Sequence, residues 1–438
     1  MKKTTLFIIM ICLSLIMLFG HGNEVKIDKS EKKVIIDKIC ENLEREYIFP
    51  EITKKYIKML KNNLYSGKYD SIIQPGDFAA ATTKDLMAIH KDDHLSIRFN
   101  PEWIKNKKER DKFDKKGLLR KKRLDRIANY GFEEVKILTG NIGYLKLNGF
   151  SYEIEAFNSA IAVMGFLAHT DALIVDLRTN GGGSPEMVQF LCSYFISNPR
   201  KHLNTFFYKD KDKSTQYWTY TLLPGKRLDK IDLYILTSQN TFSAAEEFSY
   251  NLKHMKRATV IGEQTGGGAH DNKFVILTDQ FMMSLPFARA YNRITKTNWE
   301  GVGVEPDVKV VSNKALDTAK LLAVKKLFEK EEDPEFKAYY SWGYDIFKTM
   351  LNPKKIKLDI LKTYVGTFGP RRITLKGESL FYQREEGPMM KMIPINQNMF
   401  MFKELDYFRL KIVKKDNKII AVEGHRVNGR ADRHLKNK

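Results

Sequence analysis

The chain has 438 residues, enough for about three domains at ~150 residues each. Hydrophobic residues make up 43% and three cysteines are present, which excludes a long disordered polymer and a disulfide scaffold. Lys and Arg number 74 against 53 Asp and Glu, a net charge of +21 that raises the question of a nucleic-acid partner.

In chain order, Lys2 and Lys3 precede an apolar run from Leu6 to Phe19, which Gly20, His21 and Gly22 then break. The run is shorter than the ~20 residues of a membrane span, so residues 1–22 read as a signal peptide, with an uncleaved N-terminal anchor as the alternative. Cleavage near Gly22 removes two lysines and no acid. The expected location is therefore exported, periplasmic or secreted. Cys40 and Cys192 remain, either as a pair or as two buried free thiols.

Residues 23–100 read as an N-terminal helical domain. Ile36, Ile39, Cys40, Leu43 and Tyr47 follow helical spacing and Pro50 stops the run. Further amphipathic stretches carry Tyr56, Leu60 and Leu64, then Phe78, Leu86 and Ile89. Leu95, Ile97 and Phe99 alternate as a short strand after His94. Residues 101–130 form a basic connector with Lys115, Lys116, Arg120, Lys121, Lys122 and Arg123. It lacks the aromatic interleaving that stacks bases, so a solvated linker or helix face is expected and a nucleic-acid partner is not.

From residue 131 the pattern becomes α/β. Strands are expected at Ile142–Leu147, Ala172–Leu177, Leu233–Leu236 and Thr259–Ile261, with helices at 152–168, from Pro185, over Ser243–Met255 and around Leu316–Leu327. From about residue 360, short alternating runs separated by Lys376-Gly377, Glu386-Gly387-Pro388 and Asp416-Asn417 predict a small antiparallel β domain over 354–438.

Four constellations carry chemistry. Ser243 ends a turn and opens a helix, where its hydroxyl meets the positive end of the helix dipole; with Glu246 it also fits a plain capping box. Asn180-Gly181-Gly182-Gly183 lies between a strand and a helix, so it is a tight turn or an oxyanion hole built from backbone N–H groups. Its glycine spacing fits neither a dinucleotide nor a Walker loop. Asp92-Asp93-His94 places an imidazole beside carboxylates, as a tuned base or a surface histidine. His90 and His94 have zinc-helix spacing, but Lys91 stands where the chemistry requires Glu. No metal and no cofactor is expected. Gly303-Val304-Glu305-Pro306-Asp307 holds a carboxylate before a proline, or is an ordinary turn.

The segments Ile174–Gly183, Thr237–Glu246 and Ala258–Gly268, in this order and spacing, resemble the tail-specific (carboxyl-terminal processing) serine peptidases over about residues 130–310. The resemblance implies an α+β fold: a crotonase-like ββα core over 131–332, preceded by a helical domain similar to that of the branch containing interphotoreceptor retinoid-binding protein and tricorn protease. The last stretch is similar to small lipocalin-like β domains. By resemblance Ser243 is the nucleophile. Gly182, flanked by Gly181 and Gly183, forms the oxyanion region with the N–H of Ala244. Processing enzymes of bacteria use a Ser-Lys dyad, but Gly268 stands at the lysine position, and without a base Ser243 is an ordinary alcohol. The tricorn-like branch uses a histidine and a glutamate that match His94 and Glu305. Asp93 stands where tricorn has Ser, and His270 is a rival base or a substrate contact. These matches imply an exported serine endopeptidase acting on unstructured or C-terminal polypeptide segments. The alternative is a non-catalytic protein that binds apolar ligands or peptides on a degenerate peptidase scaffold. Oligomeric state is not legible.

Overall fold

The computed structural model describes residues 26–111, 115–209, 213–416 and 418–437; the signal-peptide expectation for residues 1–22 lies outside them. No described helix is long and apolar enough to cross a membrane. The chain divides into two compact units. One holds the described residues up to Gly117 together with Asn272–Ala288, and the other holds Leu118–Asp271 with the residues from Arg289 onward.

In the first unit, the helices Lys29–Glu46, Pro50–Tyr65 and Pro75–Ile89 pack their apolar stripes together. Asp28 caps the first through a capping box with Glu31, and Pro occupies the first turn of the other two, where a missing N–H costs nothing. Ser96–Phe99 pairs antiparallel with the strand that starts at Phe281, with Ser96 opposite Ser284 and Phe99 opposite Phe281. Leu277, Phe281, Met283 and Leu285 thereby enter the same core as Ile36, Leu43, Tyr56 and Phe78. This non-local pairing is why residues 272–288 group with the helices, although their local sequence reads as part of the 131–332 segment. The basic stretch is helical, Pro101–Asp111 and Lys115–Ile127.

The second unit is built on a six-stranded sheet in the order Val308–Lys309, Ala258–Gly262, Asp232–Thr237, Ala172–Asp176, Ile142–Leu147, Phe132–Leu138. All neighbours are parallel except the last pair. Successive side chains alternate between faces. Leu145, Val175, Ile235 and Val260 lie in register and pack under the helices Ile154–Phe166, Pro185–Phe195 and Ala244–His254. Tyr144, Ile174, Tyr234 and Ile261 face the helices Ser312–Lys330 and Pro334–Leu351. Burial on both faces explains the near-continuous apolar runs in these strands. The helix Pro334–Leu351 falls in a stretch that the sequence reading leaves unassigned. Asp333 caps it by accepting the N–H groups of Glu335 and Phe336, and Tyr340, Ile346 and Phe347 cover the sheet.

The C-terminal part contains a four-stranded and a five-stranded antiparallel sheet around one apolar cluster that includes Tyr364, Phe400, Phe402, Leu410 and Val422. Arg371, 1% exposed, is held there by Asp432 at 2.5 Å. Cys40 in the first unit and Cys192 in the second are each a buried free thiol.

Ile235 is completely buried in the centre of the sheet. Ile235→Ala should therefore lower unfolding free energy by about 2–5 kcal/mol, read by urea denaturation with an unchanged m-value.

Candidate active site

Ligands in open α/β sheets bind beyond the carboxyl ends of the parallel strands. In the second unit three loops leave those ends side by side, after Asp176, Thr237 and Gly262.

The first loop is anchored through charge and then through an amide. Asp176, 2% exposed, accepts from Arg178 Nε at 2.9 Å and Nη2 at 2.6 Å, and from the Tyr144 hydroxyl at 2.8 Å. Asn180, fully buried, donates Nδ2 to the Leu147 carbonyl at 2.8 Å, and its Oδ1 accepts the Gly182 N–H at 2.9 Å. Gly182 has φ +108°, and a Cβ there would lie 2.7 Å from the Ser243 Cβ and 3.0 Å from the Ala244 nitrogen. Only glycine permits this approach.

The second loop is laced to the first. The Phe242 N–H donates to the Asn180 carbonyl at 3.0 Å, the Thr241 hydroxyl to the Leu177 carbonyl at 2.8 Å, and the Ser238 hydroxyl to the Arg178 carbonyl at 2.6 Å. Ser243 itself is half-buried, with φ +54° and ψ −121°, and directly precedes the helix Ala244–His254. A non-glycine residue with positive φ costs of order 1–3 kcal/mol and persists only where its surroundings impose it. The corner has the strand–turn–helix form of a nucleophile elbow, although the Gly-x-Ser-x-Gly sequence is absent.

Glu246 ties this corner to the third loop. Its carboxylate is fully buried and accepts the N–H of Ser243 at 2.8 Å, Gly267 at 2.7 Å and Gly268 at 2.8 Å, and the Thr265 hydroxyl at 2.5 Å. Burial pushes its pKa up to about 7 against the pull of these donors. Beyond the glycines, Trp299 Nε1 donates to the Gly268 carbonyl at 2.8 Å. Glu300 Oε2 accepts the N–H of Ala269 at 2.5 Å and of His270 at 3.2 Å, and lies 3.6 Å from His270 Nδ1. His270 is 3% exposed.

Among the residues singled out by sequence, Ser243, Ala244 and Gly182 come together in this unit. The Gly182 amide is engaged by Asn180, so what Gly182 contributes directly is close approach. Gly181 faces open space, and Gly183 is bridged to Phe150. Glu305 is 63% exposed and paired with Lys309 at 2.5 Å, which holds its carboxylate below the usual range. In the first unit, His94 is buried and its backbone N–H donates to Asp92 Oδ1 at 3.2 Å. Asp92 is fully buried and also accepts the Tyr47 hydroxyl at 2.9 Å, while Asp93 lies 3.7 Å from Lys91. Sequence reasoning named Asn180 only as part of the glycine loop, passed over Glu300 and gave Glu246 only a capping role. Their work depends on contacts across loops, for which spacing gives no signal.

Residues 141–310 match the profile of peptidase family S41, and residues 28–125 match that of the N-terminal domain of this family in eukaryotic IRBP. Over these two stretches the chain is similar to peptidase family S41. A carboxy-terminal-processing protease of Bartonella bacilliformis is 27% identical over 175 residues, 39% of this chain and 39% of that protein. The chloroplastic carboxyl-terminal-processing peptidase 2 of Arabidopsis thaliana is 30% identical over 175 residues, 38% of this chain and 31% of that protein. The chain thus spans less than two-fifths of the length of the curated relatives it matches, 39% of one and 31% of the other. Among solved structures, a photosystem II D1 C-terminal processing protease is similar with a TM-score of 0.43 at 15% identity, covering 65% of this chain and 94% of that one. The S41 match contains all three loops described above.

A second buried acid sits next to Glu246. Glu247 is 2% exposed, accepts Asn204 Nδ2 at 3.0 Å, and is pushed up to about 8 by burial. The unfolded chain releases this proton near 4.5 and the folded chain near 8, so the folded state holds the extra proton between them. Its contribution to stability falls as pH rises through that window. Glu247→Gln should therefore become progressively more stable than wild type as pH rises through that window, with no further gain above about 8, read by denaturation at several pH values.

Proposed function

We propose that this chain is an exported serine peptidase that hydrolyses peptide bonds in unstructured or C-terminal polypeptide segments. The observation that carries the reading is the Ser243 corner: a strained serine at a helix N-terminus, pressed against Gly182 and fixed by Glu246. The chemistry follows from its parts. The Ser243 hydroxyl attacks the scissile carbonyl. The Ala244 N–H, on the first turn of the helix, faces the negative charge that develops on the carbonyl oxygen, where an aligned dipole adds stabilisation. With no lysine at position 268, the proton passes to a histidine, which then delivers it to the leaving amine.

His94 is the proposed base, as the family resemblance implies, with Asp93 and Glu305 as the proposed orienting acids. His270 with Glu300 is the competing pair, since that imidazole already has a carboxylate 3.6 Å from Nδ1. The relatives named as processing proteases support cleavage near polypeptide C-termini, and the apolar N-terminal run supports export.

On an unfolded protein substrate, Ser243→Ala and His94→Ala should each lower turnover by ~10^3-fold or more. Full residual activity in Ser243→Ala contradicts the mechanism. Full activity in His94→Ala with loss in His270→Ala transfers the role of base to His270. Gly182→Ala should lower turnover by ~10^2-fold through displacement of Ser243, with the far-ultraviolet circular dichroism unchanged.

A further inference from the structure

The loops that carry Ser243 leave the carboxyl ends of the strands. Within the same unit, the amino ends of two of those strands border a cavity of about 750 Å³. Asp229 precedes the strand Asp232–Thr237, and Lys256 and Arg257 directly precede Ala258–Gly262. The cavity wall mixes apolar and aromatic side chains, Phe195, Ile196, Trp218, Met255 and Ile294, with the cations Arg200, Lys201, Lys256, Arg257 and Arg293.

The charge is unbalanced. Asp229 is the one carboxylate among the described lining residues. Arg257 spends Nε on the Phe195 carbonyl at 2.6 Å and Nη2 on the Leu228 carbonyl, and feels the charge of Asp229. Among the described residues, Arg200, Lys201, Lys256 and Arg293 are in no ion pair. The Arg200 guanidinium stands 5.1 Å over the Trp218 ring, which keeps it at the cavity edge. His202, also in the wall, bonds the Thr205 hydroxyl through Nε2 at 2.9 Å, and its Nδ1 has no hydrogen-bond partner among the described residues.

We propose that this cavity binds a small phosphate-bearing anion attached to an apolar or aromatic body. Four cations beyond the Arg257–Asp229 balance call for more negative charge than a single carboxylate carries, and a phosphate monoester brings close to two charges at neutral pH. Two arginines offer planar forks that match phosphate oxygens. The indole and aliphatic wall gives the rest of the ligand an apolar seat, and the volume is that of an ordinary small-molecule site. The site is separate from Ser243, so occupancy does not depend on peptidase chemistry.

The test is isothermal titration calorimetry of the Ser243→Ala protein with 1-naphthyl phosphate, beside the same protein with Arg200→Ala and Arg293→Ala. Both arginines are exposed, so their loss leaves the fold intact. Saturable binding that the double substitution weakens by about tenfold or more, and that falls with added salt, is the expected result. Inorganic phosphate and 1-naphthol should each bind at least about tenfold more weakly than the conjugate. Absence of saturable binding, equal binding by the doubly substituted protein, or equal binding of 1-naphthol overturns the proposal. A vesicle arm identifies the natural source once binding is found. Retention on phosphatidic acid vesicles, lost with the arginines, assigns a lipid headgroup; binding of the soluble ester alone assigns a free phosphate compound.

Discussion

The Glu246 carboxylate is shielded from water and accepts hydrogen bonds from Ser243, Thr265, Gly267 and Gly268. A buried carboxylate is costly unless its lone pairs are met, and here each donor belongs to a loop that the chemistry needs. The helix that starts at Ala244, the serine before it and the glycine loop after the strand Ala258–Gly262 are thus held by one group. The strain at Ser243 persists because that carboxylate fixes its N–H from one side while Gly182 closes on it from the other. Burial raises the proton affinity of Glu246 to about 7, so its hydrogen bonds offset only part of the cost of holding the ionised carboxylate out of water.

The parallel sheet makes this possible. Its register sets Asp176, Leu236 and Ile261 side by side, so the three loops leave at one level and can be laced by backbone and side-chain hydrogen bonds. Helices cover both faces of the sheet, and its edges carry the two halves of a division of labour. The carboxyl ends hold the strained serine, and the amino ends border a cationic cavity with no part in that chemistry.

Local pattern made much of this legible. Strands buried on both faces read as apolar runs, and a strand followed by glycines and a helix marks a close backbone approach; that Gly182, Ser243 and Ala244 belong to one place was implied only by the family resemblance. Contacts between distant segments could not be read. Residues 272–288 look like any strand pair, yet Leu277, Phe281 and Met283 complete the core of the N-terminal helices. Asn180 opens the glycine motif, but the role of its side chain is visible only when it spans from the Leu147 carbonyl to the Gly182 amide. Glu305 stood out because it precedes a proline, but Lys309 four residues later offers an exposed partner, and the two are paired. Glu300, one residue after Trp299, is instead turned inward onto the Ala269 and His270 amides.

The account turns on Ser243 being an activated nucleophile and not merely a helix cap. The most direct measurement is labelling of the intact protein with a fluorophosphonate, followed by peptide mapping in a mass spectrometer. The account predicts a single stoichiometric adduct on the peptide that contains Ser243, abolished in Ser243→Ala. No adduct, or an adduct on another residue that persists in Ser243→Ala, would contradict it.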